Sequence, residues 1–91
     1  MAGPDDALGY PSRNMVFLLY TRRGCHLCEA AEDMLAAQGR SVSVKSVDVD
    51  TDPNLQLLYG LRVPVLTADG TVVMEGRFDE FALARLLAVG R

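Results

Sequence analysis

The sequence predicts one α/β domain with the element order β-α-β-α-β-β-α, in which a four-stranded mixed sheet has helices on both faces. Three features lead to this prediction. Residues 15–21 form a continuous apolar run rich in β-formers, which is typical of a strand covered on both faces. Asp69-Gly70 joins two β-rich segments, and this dipeptide favours the tight turn of a β-hairpin. Two further segments place their apolar side chains at helical spacing.

The first half of the chain predicts a parallel β-α-β unit. Its first strand is the run "MVFLLYT" at residues 15–21. A helix is expected after Gly24, with Gly39 as its C-terminal stop. Five positions fall mostly on one face of this helix: Leu27, Ala31, Met34, Leu35 and Gln38. The segment "SVSVKSVDV", residues 41–49, alternates valines with polar residues apart from one shift of phase, which predicts the second strand.

The second half begins with a short predicted helix in "DTDPNLQLLYG". Asp52 is the expected cap of this helix, Pro53 fits its first turn, and Gly60 ends it. The segments "VPVLTA" and "TVVME" then flank Asp69-Gly70, so we expect them to pair as the antiparallel hairpin.

The last predicted element is an amphipathic helix in residues 78–90, with Asp79 as its cap. Residues 1–14 are rich in Pro, Gly and Asp and predict a flexible arm, which leaves residues 15–91 as the folded domain. The arm lacks the charged start and the apolar stretch of a signal peptide. We therefore expect a cytoplasmic protein in a reducing compartment.

Charge and hydropathy exclude two classes of partner. The net charge is −3 and there is no long basic run, so nucleic-acid binding has no electrostatic support. The hydrophobic share is 49%, but no apolar run is long enough to span a bilayer, so no membrane partner is expected.

The only two cysteines, Cys25 and Cys28, lie three positions apart where the first helix is expected to begin. At that end, unpaired backbone N–H groups and the positive end of the helix dipole favour a thiolate. Arg22, Arg23 and His26 add positive charge beside Cys25, which lowers the pKa of a thiol. Cys28 lies about one turn deeper, on the buried side. The pattern predicts an exposed attacking sulfur and a shielded resolving one.

Three interpretations of the pair remain open at this point: a redox dithiol, half of an intersubunit metal or iron–sulfur site, and an inert pair. In a reducing compartment such a pair is more often catalytic or metal-binding than structural. A zinc site needs roughly four ligands, and His26 is the only other strong candidate, so one chain supplies at most half a site. The redox dithiol is the favoured interpretation, and no metal ligand is assigned.

The sequence resembles the thioredoxin-like superfamily and, within it, the glutaredoxin-like proteins. "YTRRGCHLC", residues 20–28, matches the family pattern of an aromatic residue, a Ser or Thr, a basic residue, two spacers and the C-x-x-C. Val63-Pro64 falls where the superfamily has its cis-proline, and Gly76 followed by residues 78–80 resembles the glycine and acidic signature before the last helix. The resemblance covers about residues 15–90. Leu19 stands where thioredoxins place a buried Asp, which favours the glutaredoxin-like branch.

This resemblance implies a thiol–disulfide oxidoreductase in which Cys25 attacks and Cys28 resolves. The implied substrate is a disulfide-containing protein or glutathione, with a reductase as electron donor. No cofactor is required, and glutathione is a possible co-substrate. The competing hypothesis is a non-enzymatic module that binds a partner or shares a metal or an iron–sulfur cluster. The substrate-binding residues implied are Arg22, His26, Val63, Pro64, Gly76 and Asp79.

Two more specific expectations follow from the resemblance. The N–H and C=O groups of Val63 are expected to pair with a substrate peptide, because a cis bond before Pro64 turns them toward the dithiol. Arg22, with Arg62 or Arg77, is expected to line a pocket for an anionic substrate.

Overall fold

The computed structural model describes residues 16–38 and 43–89. Three predicted features lie outside the described part: the arm at residues 1–14, the stop at Gly39 and the first residues of the second strand. The strands are β1 Phe17–Thr21, β2 Val44–Asp48, β3 Val65–Ala68 and β4 Thr71–Glu75. The helices are α1 His26–Ala37, α2 Pro53–Tyr59 and α3 Glu80–Val89, and a 3₁₀ turn spans Val49–Thr51.

The four strands form one mixed sheet in the order β2-β1-β3-β4. The central strand β1 runs parallel to β2, with Phe17 opposite Val44 and Thr21 opposite Asp48. It runs antiparallel to β3, and β3 pairs antiparallel with β4. The mixed sheet, the three α-helices and the predicted element order therefore agree with the predicted fold class. Because β1 is central, its carboxyl end delivers the cysteine segment to the middle of one sheet edge.

The core combines side chains from β1, α1, β3 and α3. Alternate residues of β1, Phe17 and Leu19, are buried, whereas Leu18 and Tyr20 are only half-buried on the other face. The buried cluster contains Phe17, Leu19, Ala31, Leu66, Phe78, Leu83 and Leu87. Burial of this apolar surface holds α1 and α3 to the two central strands.

Local signals set the ends of several elements as expected. Asp69 has a φ of 51° and Gly70 a φ of 89°, so both central residues of the hairpin turn adopt the left-handed region that its twist requires. Asp52 caps α2 by accepting a hydrogen bond from the N–H of Asn54 at 2.8 Å. Asp79 caps α3 by accepting from the N–H of Phe81 at 2.9 Å.

Three boundaries differ from the sequence prediction. β2 ends at Asp48 and does not include Val49, because the Asp48 carboxylate accepts from the N–H of Asp50 at 2.9 Å and starts the 3₁₀ turn. β3 begins at Val65, since Pro64 has no N–H to donate to a ladder. β1 begins at Phe17 and leaves Val16 outside the strand. α1 ends at Ala37, with Gln38 as its cap, directly before the expected stop at Gly39. Within residues 16–38 and 43–89, no helix is long and apolar enough to cross a membrane.

Candidate active site

Cys25 is the N-cap residue of α1. Gly24, with a φ of +79°, turns the chain from β1 toward this helix, a conformation that favours glycine. Cys25 has extended backbone angles, and its Sγ accepts a hydrogen bond from the N–H of Cys28 at 3.1 Å. The sulfur thus takes the position that a Ser or Asp oxygen usually occupies at a helix N-terminus. In the reduced protein, the same N–H and the positive end of the helix dipole would favour a thiolate at Cys25.

The two sulfurs are paired as a disulfide, with the Cα atoms of Cys25 and Cys28 5.2 Å apart. Cys28 is buried, with 3% of its surface exposed, whereas Cys25 is half-buried. The arrangement has the asymmetry expected from the sequence, because the sulfur at the helix N-terminus is the accessible one. Among the described residues, no group of three or more His, Cys, Asp or Glu side chains is placed to hold a metal ion.

The Val63–Pro64 peptide bond is cis, and Pro64 is fully buried. Gly76, with a φ of +74°, donates its N–H to the carbonyl of Pro64 at 2.8 Å. This bond links the end of β4 to the segment before β3. Val63 donates its N–H to the carbonyl of Tyr59 at 3.0 Å. The turn after α2 therefore uses this N–H in the structure, and its pairing with a substrate peptide stays a prediction.

Arg22 is held by groups from two other elements. Its Nη2 lies 3.0 Å from Oδ1 of Asp50, and its Nε contacts both carboxylate oxygens at 3.2 Å. Its Nη1 donates to the carbonyl of Gly60 at 3.1 Å. Asp50 also accepts from the side chain of Gln56 at 3.0 Å. Hydrogen bonds from Arg22 and Gln56 hold the pKa of Asp50 below its usual value.

Arg62 is likewise engaged within the protein. Its Nη2 lies 2.5 Å from Oε1 of Glu75, and its guanidinium carbon lies 5.5 Å from the centre of the Tyr59 ring. The hydrogen bond with Glu75 raises the pKa of Arg62. Of the three arginines expected to line an anion pocket, Arg22 and Arg62 are thus paired with carboxylates, and Arg77 is exposed. The positive charges of Arg22 and Arg62 are largely neutralised by these carboxylates, so this geometry gives the anion pocket little support.

Two tyrosines join the segments that lead into the site. The rings of Tyr20, at the end of β1, and Tyr59, at the end of α2, stack with their centres 4.5 Å apart. Burial and the neighbouring Tyr59 raise the pKa of Tyr20. The stack therefore connects the strand before the cysteines to the turn before Pro64.

The substrate-binding roles expected for His26 and Asp79 stay predictions. The His26 side chain is 98% exposed, and its Nδ1 lies 3.9 Å from Oε1 of Glu29. Asp79 caps α3, so its Oδ1 is committed to backbone N–H groups of that helix. Neither side chain contacts the sulfurs by a hydrogen bond among those the structure describes.

A cleft of about 240 Å³ opens beside the buried cysteine. We call it the solvent cleft, and its lining residues are Thr21, Arg22, Arg23, Gly24, Cys28, Glu29, Glu32 and Asp48. Sequence reasoning missed the carboxylates of this cleft. The spacing of four residues between Cys28 and Glu32 was the available signal, since it places both on one helical face.

The comparisons with known proteins agree with this fold. The family model described as Glutaredoxin-like domain (DUF836) matches residues 16–88. A structural-genomics target protein from X. campestris is 40% identical, with 80% of this chain and 96% of that chain covered and a TM-score of 0.70. A protein from Nitrosomonas europaea is 26% identical, with 79% and 89% covered and a TM-score of 0.66.

A solved structure named as a glutaredoxin provides a further similarity. The glutaredoxin from Brucella melitensis is 29% identical, with 85% of this chain and 94% of that chain covered and a TM-score of 0.57. No curated protein matches the sequence significantly. The pair Cys25 and Cys28 at disulfide distance in this fold supports a redox type of function. On the match over residues 16–88, the chain belongs to the glutaredoxin-like (DUF836) family and has a thioredoxin-like fold.

Proposed function

We propose that the protein is a thiol–disulfide oxidoreductase with Cys25 as the attacking residue and Cys28 as the resolving residue. The observation that carries this proposal is the contrast between the two sulfurs. The Sγ of Cys25 accepts an N–H at the start of α1, whereas Cys28 is 3% exposed. A stabilised and accessible thiolate attacks the substrate readily, and a shielded thiol reacts only after the mixed disulfide has formed.

In the first step, the Cys25 thiolate attacks one sulfur of a substrate disulfide. A Cys25–substrate disulfide forms, the substrate S–S bond breaks, and the other substrate sulfur leaves as a thiolate that takes up a proton. In the second step, the Cys28 thiolate attacks the Sγ of Cys25. The Cys25–Cys28 disulfide forms, and the second substrate thiol is released. The substrate gains two electrons, and the dithiol loses them.

The substrate class we propose is a protein disulfide or a glutathione disulfide, with glutathione or a disulfide reductase returning the protein to its dithiol form. The chemistry needs no organic cofactor, because the two sulfurs exchange both electrons. Pairing of Arg22 with Asp50 and of Arg62 with Glu75 weakens the case for an anion pocket. A coupled assay that compares glutathione with a thioredoxin-reductase-type enzyme as the donor tests this part of the proposal.

The test of the cysteine roles uses single variants in their reduced form. In the Cys28→Ser variant, alkylation of Cys25 should follow a pKa below the free-thiol value of about 8.5. This variant should also accumulate a mixed disulfide with its substrate, because no second thiol displaces it. In the Cys25→Ser variant, alkylation near neutral pH should be much slower. If Cys28 is the faster thiol, or if both titrate as free cysteines do, the proposed roles are wrong.

A further inference from the structure

The resolving step requires that Cys28 lose a proton, because the thiolate is the attacking species. Cys28 is 3% exposed, so bulk water has little access to its thiol. The strand beneath the site offers no acceptor at Leu19, which is 1% exposed and apolar. The proton must therefore leave through a specific opening.

The solvent cleft provides this opening, because Cys28 is among its lining residues. Its volume of about 240 Å³ has room for several water molecules, each of which occupies about 30 Å³ in the liquid. The charged groups that line it are Glu29 and Glu32 on α1, Asp48 on β2, and Arg22 and Arg23 in the preceding loop. Three carboxylates are thus candidates to receive the proton.

Geometry favours Glu32 among the three carboxylates. Glu32 lies four residues after Cys28 on α1, so the two side chains share one helical face. Side chains in a helix lean toward its N-terminus, which carries the Glu32 carboxylate back over the turn that holds Cys28. The hydroxyl of Ser46 donates to Oε2 of Glu32 at 3.4 Å, which draws the carboxylate toward β2.

The other two carboxylates have less suitable surroundings. Glu29 follows Cys28 directly, so it points about 100° away around the helix. Glu29 and Glu32 are both exposed, but the Glu29 carboxylate has His26 as a neighbour, with its Oε1 3.9 Å from Nδ1 of that residue. Asp48 uses Oδ1 to accept the N–H of Asp50 at 2.9 Å, which caps the 3₁₀ turn.

We propose that Glu32 is the proton acceptor for Cys28 in the resolving step, acting through water in the solvent cleft. The Cys28 S–H bond breaks as the proton passes to the Glu32 carboxylate, and the Cys28 thiolate attacks the Sγ of Cys25. The Cys25–substrate bond breaks, and the departing thiolate is protonated by Glu32 or by solvent. This inference rests on the proposed function, because it needs an attack by Cys25 to precede it.

The test measures the two steps separately in the reduced full chain. One equivalent of 5,5′-dithiobis(2-nitrobenzoic acid) releases a first coloured thiolate when Cys25 attacks and a second when Cys28 resolves. The rates of both phases are followed by stopped flow between pH 5.5 and 8.5. Glu32→Gln is compared with the wild type and with Glu29→Gln, a matched control that removes the same charge from the same helix.

Glu32→Gln should leave the first phase unchanged and slow the second at least tenfold near pH 7, since general-base catalysis contributes about 10²–10⁴-fold. In this variant the second phase should rise about tenfold per pH unit, because hydroxide replaces the carboxylate as the base. In the wild type its dependence on pH should be shallower. Glu29→Gln should resemble the wild type in both phases.

Three results would overturn the assignment of Glu32. The first is an unchanged second phase in Glu32→Gln across the pH range. The second is an equal slowing of that phase in Glu29→Gln, and the third is a larger slowing in Asp48→Asn. A normal first phase in each variant shows that it is folded and that Cys25 reacts. If the wild type itself lacks a first phase, the proposed function fails, and the role of Glu32 fails with it.

Discussion

Replacement of Gly60 by alanine should destabilise the protein, although helix propensity alone predicts the opposite. Gly60 follows α2 with a φ of −55° and a ψ of −35°, an ordinary right-handed conformation that alanine adopts easily. In such a conformation, alanine is more favourable than glycine by about 1 kcal/mol. From the backbone angles alone, the Gly60→Ala protein would therefore be expected to be more stable than the wild type.

The surroundings of Gly60 reverse this expectation. A Cβ at this position would lie 2.5 Å from the carbonyl oxygen of Gln56 and 3.3 Å from Nη2 of Arg22. An ordinary van der Waals contact begins near 3.4 Å, so the backbone at the end of α2 must move. Overpacking of this kind costs about 1–3 kcal/mol. After the gain in helix propensity, we expect a net loss of up to about 2 kcal/mol in the free energy of unfolding.

For a domain of this size, each kcal/mol of that loss lowers the melting temperature by about 4–8 °C. Thermal and urea unfolding of the oxidised protein, followed by far-UV circular dichroism, measures this loss of stability. Tryptophan fluorescence is not an option, because the chain has no tryptophan. Gly24→Ala is the comparison, because its φ is +79° but a Cβ there meets nothing within 4 Å. Gly24→Ala should thus be destabilised by backbone strain alone. A Gly60→Ala protein as stable as the wild type, or more stable, would refute the steric argument.

Three further predictions concern side chains of the described structure. Asp79→Ala should lower the free energy of unfolding by about 1 kcal/mol through loss of the α3 cap, and urea unfolding that shows no change would contradict that role. The pKa of Asp50 is lowered by its hydrogen bond with Arg22, so the wild type should be more stable than Asp50→Asn near neutral pH. This advantage in stability should disappear as the pH falls below 3.8, the ordinary pKa of the carboxyl group, and then through the lower pKa that Asp50 has in the folded protein. A difference in urea midpoints between the two proteins that does not depend on pH would contradict this prediction. Leu66→Ala, at a fully buried position, should cost about 2–5 kcal/mol, whereas Leu57→Ala, at an 88% exposed position, should change urea unfolding very little.

The element order was predictable because its signals are local. The cap at Asp52, the turn at Asp69-Gly70 and the cap at Asp79 each depend on a few neighbouring residues, and the structure has all three. The same holds for the cysteines, since burial of Cys28 and the N-cap position of Cys25 follow from where α1 begins.

The partners of the charged side chains were not predictable in this way. Asp50 meets Arg22 because the parallel register sets Thr21 opposite Asp48, and the sequence does not encode this register locally. The bond between the N–H of Val63 and the carbonyl of Tyr59 depends on how the chain turns after α2. Long-range pairing therefore decided which groups near the dithiol are available to a substrate.

The stacked pair of Tyr20 and Tyr59 gives the protein an internal optical reporter. The chain has three tyrosines and no tryptophan, so these two rings supply much of its aromatic near-ultraviolet signal. One ring leads into the cysteine segment and the other into the turn before Pro64, and their centres are 4.5 Å apart. Coupled chromophores at this separation lose their circular dichroism when they part. Assembly of the dithiol region can thus be followed during unfolding in the unlabelled native sequence, without an added probe.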